Sequence, residues 1–197
     1  MLELGSGPGP FTHTLLAQGY HVIAVDFSEK SLLITRDSNT AYGSRVCYVK
    51  ADLNSLLMAR ESSNLLFMCD FLQHLGDYDT RNAFISKVFN WLASGGFFYL
   101  TFFNFNIKNY FKGDAHGSFA SGAIRYERLL HKEVLKALPR NIAVDSVIPL
   151  NIFHSVNLDR LASGLPGVRY LARMMAISGR KLDRETCQPL FETTEAL

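Results

Sequence analysis

The stretch Leu2-Glu3-Leu4-Gly5-Ser6-Gly7-Pro8-Gly9-Pro10 decides the reading. It is a short apolar strand that runs directly into a glycine-rich loop, where the missing side chains let backbone lie close against a ligand. A second apolar run, His21-Val22-Ile23-Ala24-Val25, ends on Asp26, 21 residues past Gly5. An acid at the end of the second strand can accept from both hydroxyls of a ribose, so the two features together predict a nucleotide site. Glycine spacing then narrows the nucleotide. A dinucleotide fingerprint needs glycine at the first, third and sixth positions, and the sixth position here is Pro10. Glycine stands at the first, third and fifth instead, with Glu3 two residues upstream.

Working outward, short apolar runs alternate with amphipathic segments, the pattern of a parallel sheet covered by helices on both faces. Strands are expected at Met1 to Leu4, His21 to Val25, Val46 to Lys50, Leu65 to Cys69, Phe97 to Phe103 and Ile142 to Leu150. The last strand falls within Arg169 to Arg180. Pro10 at the first helical position and Gly19 past the end bracket a helix over Phe11 to Gln18. Ser28 should cap a second helix through Asp37. A third carries Phe84, Ile85, Val88, Phe89 and Leu92 on one stripe from Asp79 to Ala93, stopped by Gly95-Gly96. Leu130, Val134, Leu135 and Leu138 make a short helix before Pro139. The run 104–126 lacks a clean period and reads as an insertion, and Leu182 to Leu197 as a loose tail.

The whole chain bounds the function classes. Its 197 residues suit one domain with one core, 48% hydrophobic and 19% charged, as in ordinary globular proteins. A net charge of +2 gives no reason to expect a nucleic-acid partner or a membrane surface. Phe97 to Phe103 is the longest apolar stretch and is far too short to span a bilayer. Glu3 and five glycines and prolines break up the first ten residues, so no secretory leader is expected there. Cys47, Cys69 and Cys187 are scattered without metal spacing, as expected of free thiols in a reducing cytoplasm and of a chain with no metal site.

Glu-x-Gly-x-Gly-x-Gly followed by an acid after the second strand resembles the class I S-adenosylmethionine-dependent methyltransferases. The resemblance covers about Met1 to Lys181 and is specific over roughly the first 75 residues. It implies a Rossmann-like, doubly wound α/β fold: a mostly parallel seven-stranded sheet with an antiparallel last strand. Residues 1–181 would be the cofactor-binding domain, with 104–126 as a cap over the acceptor. It implies S-adenosyl-L-methionine as cofactor and S-adenosyl-L-homocysteine as product. Gly5, Ser6 and Gly7 would lie beneath the methionine part, and Glu3 near its ammonium or ordering the loop. Asp26 would hold the ribose, Phe27 would pack on the adenine, Asp52 would accept from the adenine amino group and Leu53 would offer its amide. Asp52 could equally cap a helix. Cys69 and Asp70, at the end of the fourth strand, complete the cofactor set.

The residues after the fourth strand bear on the acceptor class. Cys69-Asp70-Phe71-Leu72 does not match the Asn/Asp-Pro-Pro-Tyr of amino-methyltransferases, and no cysteine follows a proline as in base C5-methyltransferases. What remains resembles small-molecule O-, N- and C-methyltransferases, with His74 as either a general base or a structural histidine. Lys108, Tyr110, Arg125 and Tyr126 would suit an acceptor with an aromatic or acidic group, though a solvated loop explains them as well. The family carries a helix or two ahead of the first strand that close the cofactor cleft, whereas Met1 stands inside that strand. A fragment, an upstream reading frame, or a homodimer or partner chain over the cleft would each account for that. The rival readings are a degenerate domain acting as a binding partner, an RNA or protein methyltransferase, and a nicotinamide oxidoreductase, the last disfavoured by Pro10.

Overall fold

A computed structural model of the chain describes residues 1–119, 124–152, 164–165 and 167–183. Its main sheet has seven strands, numbered in chain order: β1 (Leu2–Leu4), β2 (Val22–Asp26), β3 (Val46–Lys50), β4 (Ser63–Met68), β5 (Leu92–Phe103), β8 (Ile142–Leu150) and β9 (Met174–Lys181). β6 (His116–Phe119) and β7 (Ile124–Glu127) form a separate antiparallel hairpin. The sheet order is β3-β2-β1-β4-β5-β9-β8. β1 to β5 pair in parallel, and β9 lies antiparallel between β5 and β8. The expected sheet, with its antiparallel last strand, is what forms.

The helices α1 (Pro10–Ala17), α2 (Glu29–Ser38) and α3 (Tyr78–Trp91) connect the parallel strands, as crossovers between parallel neighbours must. The chain winds from β1 outward to β3, then returns to place β4 on the other side of β1. The switch point therefore lies between β1 and β4, where ligands bind at the carboxyl ends of the strands. β1 is buried at every position because helices cover both of its faces. One core cluster joins Leu2, Leu4, Leu66, Met68 and Leu100 to the α3 stripe, whose Phe84, Ile85, Val88 and Phe89 are buried as expected; Leu92, expected on that stripe, is buried too but opens β5.

Three expectations change in detail. α3 starts at Tyr78, not Asp79, because the Asp77 carboxylate accepts from the Thr80 amide at 2.9 Å and caps it there. Gly95-Gly96 does not stop the helix but lies inside β5, where the register jumps from Ser63↔Leu92 to Leu65↔Phe97. The glycines occupy that irregularity, and the helix has already ended at Trp91. The run 104–126 is not without structure: it holds α4 (Ile107–Lys112) and the β6–β7 hairpin. α5 (His131–Ala137) then leads to β8. Of the expected loose tail, Leu182 donates its amide to the Asn141 carbonyl at 2.8 Å, and 184–197, with Cys187, lie outside the described residues.

Candidate functional site

The glycine loop leaves β1 at the switch point and folds back on β2. The amides of Gly5 and Ser6 both donate to the Val25 carbonyl, Gly7 donates to Asp26 Oδ2 at 2.8 Å, and Gly9 donates to the Ser6 carbonyl. Pro8 and Pro10 have no amide to give. A pyrophosphate needs a cluster of free amides, and this loop has already committed its own, so the geometry disfavours a dinucleotide as Pro10 does in sequence.

The three loop glycines have different neighbours. A Cβ at Gly5 would lie 2.6 Å from the Phe71 ring, and one at Gly9 would lie 2.4 Å from Thr35 Cγ2 on α2. A Cβ at Gly7 would meet nothing within 4 Å. Gly5 and Gly9 are therefore held by packing, whereas Gly7 faces open space. Ser6, 5% exposed, has a buried hydroxyl that finds no partner among the described residues.

Asp26 is the best-fixed acid of the site. Oδ2 accepts from Gly7 and Oδ1 from the Ser28 amide, each at 2.8 Å. A carboxylate oxygen carries two lone pairs, so one on each oxygen is left for a ligand. Ser28 still caps α2, accepting from the Ser31 amide at 3.2 Å. Phe27 beside it is 75% exposed, a large ring with no cover. Asp52 caps no helix: its Oδ1 accepts from the Asn54 amide at 2.9 Å in a turn, while the Leu53 side chain is buried in the core.

Beneath the loop, Glu3 is buried and accepts from the Thr12 hydroxyl at 2.6 Å. Burial pushes its carboxyl up to about 7, the Thr12 hydrogen bond pulls the other way, and the charge of Asp26 adds to the rise. At the end of β4, Asp70 holds a left-handed backbone (φ 52) and accepts from the Thr101 hydroxyl at 2.7 Å. Burial pushes the Cys69 thiol up to about 12, so it stays protonated and is no nucleophile.

Beyond Asp70 the chain turns through Leu72–His74 and meets the hairpin. A cavity of about 780 Å³ lies there, lined by Gln73, His74, His116, Arg125, Tyr126 and Glu127 among others. His74 Nδ1 lies 2.8 Å from the Arg125 carbonyl oxygen. A carbonyl can only accept, so Nδ1 carries the hydrogen and neutral His74 keeps a lone pair on Nε2. Gln73 is 2% exposed, and neither end of its amide has a partner among the described residues. Nothing in its spacing marks it; only the fold brings it to the cavity. Of the four acceptor-side residues, Arg125 and Tyr126 share this cavity with His74, and Lys108 lines a second cavity that also includes Tyr126. Tyr110 lines neither; it is 70% exposed with its ring edge against Phe111. Among the described residues no group of three or more His, Cys, Asp or Glu could hold a metal, and no helix is long and apolar enough to cross a membrane.

Residues 1–96 match the family model described as a methyltransferase domain. Phosphoethanolamine N-methyltransferase 1 of Zea mays is 33% identical over 101 residues, 50% of this chain and 20% of that protein. The chain thus spans about a fifth of the length of that relative. Among solved structures, an S-adenosylmethionine-dependent methyltransferase of Methanosarcina mazei superposes with a TM-score of 0.72 at 18% identity, covering 92% of this chain and 91% of that one. The 1,6-didemethyltoxoflavin-N1-methyltransferase of Burkholderia thailandensis, solved with 1,6-didemethyltoxoflavin and S-adenosylhomocysteine bound, does so with a TM-score of 0.66 at 18% identity over 92% and 70%.

Proposed function

We propose that this member of the class I S-adenosylmethionine-dependent methyltransferases binds S-adenosylmethionine at the β1–β4 switch point and transfers its methyl group to a small-molecule O, N or C acceptor. Asp26 carries the reading. It stands at the carboxyl end of β2, 8% exposed, with both oxygens oriented by backbone amides and one lone pair on each left for a diol.

The other residues fit the cofactor. The unpartnered Ser6 hydroxyl and the open space over Gly7 would accept its methionine part. Exposed Phe27 would cover the adenine, with Asp52 and the Leu53 amide at its polar edge. Glu3 would act from below, fixing the loop through Thr12, and Cys69 and Asp70 would close the β4 side.

When bound, S-adenosylmethionine supplies a methyl already activated on a sulfonium, so the protein's main task is alignment. His74 would take the acceptor's proton on Nε2 where the acceptor must lose one, because the Arg125 carbonyl fixes the tautomer that leaves Nε2 free. Gln73 would hold the acceptor by the donor and acceptor it has unused. Residues 1–181 would form the catalytic domain and 104–126 its cap. The chain would work in the cytoplasm, a placement supported by the free thiols Cys47 and Cys69.

Calorimetry tests it. S-Adenosylhomocysteine should bind and NAD should not, and Asp26→Ala should lose about 2–4 kcal/mol of S-adenosylhomocysteine affinity with the loss of its charge-assisted bonds. NAD binding more tightly than S-adenosylhomocysteine would overturn the reading.

A further inference from the structure

The second cavity, of about 380 Å³, lies between α4, the end of β5, the hairpin and the start of β9. Lys108, Lys112, Arg128 and Arg173 line it, against one carboxylate, Asp114. Arg128 is committed: it donates to Asp114 Oδ1 at 2.9 Å, to the carbonyls of Asp114 and His116, and to the Tyr126 hydroxyl. Lys108, Lys112 and Arg173 form no ion pair among the described residues.

Three unpaired cations around one hollow are costly to hold together. Lys108 and Lys112 are four apart on α4, so they share a face and repel. The fold brings Arg173 to them from the far end of the chain, because β9 begins beside the end of β5 and the Arg173 carbonyl accepts from the Asn104 amide at 2.8 Å. A concave wall focuses that field on whatever enters, and guanidinium and ammonium groups are the usual holders of phosphate and carboxylate. Asn104 lines the same hollow, 1% exposed. Its Nδ2 donates to the carbonyls of Arg169 and Ala172, so its amide cannot turn over, and its Oδ1 has no donor among the described residues. An orphaned acceptor beside unpaired cations fits an anion that also carries a hydrogen-bond donor.

We propose that this cavity binds the anionic end, phosphate or carboxylate, of the acceptor on Lys108, Lys112 and Arg173. The assignment of that anion to the acceptor rests on the methyltransferase reading. Tyr126, which lines both cavities, would then stand between the anchored end and the end facing His74.

The test titrates inorganic phosphate, methyl phosphate and acetate into the protein and into a Lys112→Gln/Arg173→Gln double variant, with S-adenosylhomocysteine binding measured on the same samples. These side chains are exposed, and thermal unfolding checks that the variant folds. A preference for methyl phosphate or for acetate tells a phosphorylated from a carboxylated acceptor. Anion affinity should fall about tenfold or more in the double variant while S-adenosylhomocysteine affinity stays within about twofold. Anion affinity equal in both proteins, or none in either, overturns the site. Binding to phosphatidylglycerol vesicles that the double variant loses, and that methyl phosphate does not compete, overturns it in favour of a lipid surface. Failure of S-adenosylhomocysteine to bind the parent would strike the methyltransferase reading and leave the anion result to stand by itself.

Discussion

Arg81 on α3 and Glu127 on β7 form an ion pair whose guanidinium side chain is 7% exposed and whose carboxylate side chain is 31% exposed. The same Arg81 nitrogen donates to the carbonyls of Leu75 and Gly76. This pair and the His74–Arg125 hydrogen bond tie the hairpin to the turn after β4. Glu127→Ala would leave a buried guanidinium without its counter-ion, so it should cost about 1–3 kcal/mol. Urea unfolding measures it. A loss below about 0.5 kcal/mol would show that the Arg81 carbonyl partners alone hold it.

With an acceptor in hand, turnover separates a general base at His74 from a structural histidine, since a base must take up the acceptor's proton. His74→Asn should lower turnover by ~10²–10⁴ and leave S-adenosylhomocysteine affinity intact. Turnover within about threefold of the parent at high pH would leave His74 a structural role only.

Glu3 predicts a pH-dependent stability. Its carboxyl is raised from 4.5 to about 7, so the folded chain keeps a proton that the unfolded chain releases. The stabilisation is complete below pH 4.5 and is lost as the pH rises through about 7. Relative to Glu3→Gln, which cannot ionise, the parent should lose on the order of 3 kcal/mol across that window. Chemical unfolding at a series of pH values checks this, and parallel curves for the two proteins would refute the raised carboxyl.

The loop glycines should separate by assay. Gly9→Ala drives a methyl into Thr35 at a left-handed position (φ 83), so about 2–4 kcal/mol of stability should go. Gly7→Ala meets no protein atom, so it should cost only about 1–2 kcal/mol of backbone strain yet weaken S-adenosylhomocysteine binding sharply. Thermal unfolding and calorimetry on both variants decide. Unchanged binding by Gly7→Ala would mean that the space above Gly7 belongs to no cofactor.

Legibility followed sequence distance. The positions of the parallel strands, Ser28 as a cap and the loop with Asp26 could be read because each signal lies within a few residues or repeats with a fixed period. The hairpin could not, because each strand is four residues long, too short for alternation to show. α4 hid its start because Asn106 and Asn109 make a reciprocal capping box with asparagine where glutamate or glutamine is usual. Gln73, Arg128 and Arg173 carry no local signal, and only the fold places them at the cavities. Thr101 was equally silent, since its bonds to Asp70 cross from β5 to β4.

The antiparallel β9 also sets an order of events. Among the described residues β8 pairs with β9 alone, so a growing chain makes β8 before the strand that can receive it. Before Met174–Lys181 lies along β5, Ile142–Leu150 lacks the one strand it pairs with among the described residues. Pairing between such distant segments is slow, because a long loop must close first. The pairing of β1 to β5 needs no residue beyond Phe103, whereas β8 needs β9 in place first. A lesion in β9 would lose two strands from the sheet, and it would act through folding yield in the cell before it acted on any step of chemistry.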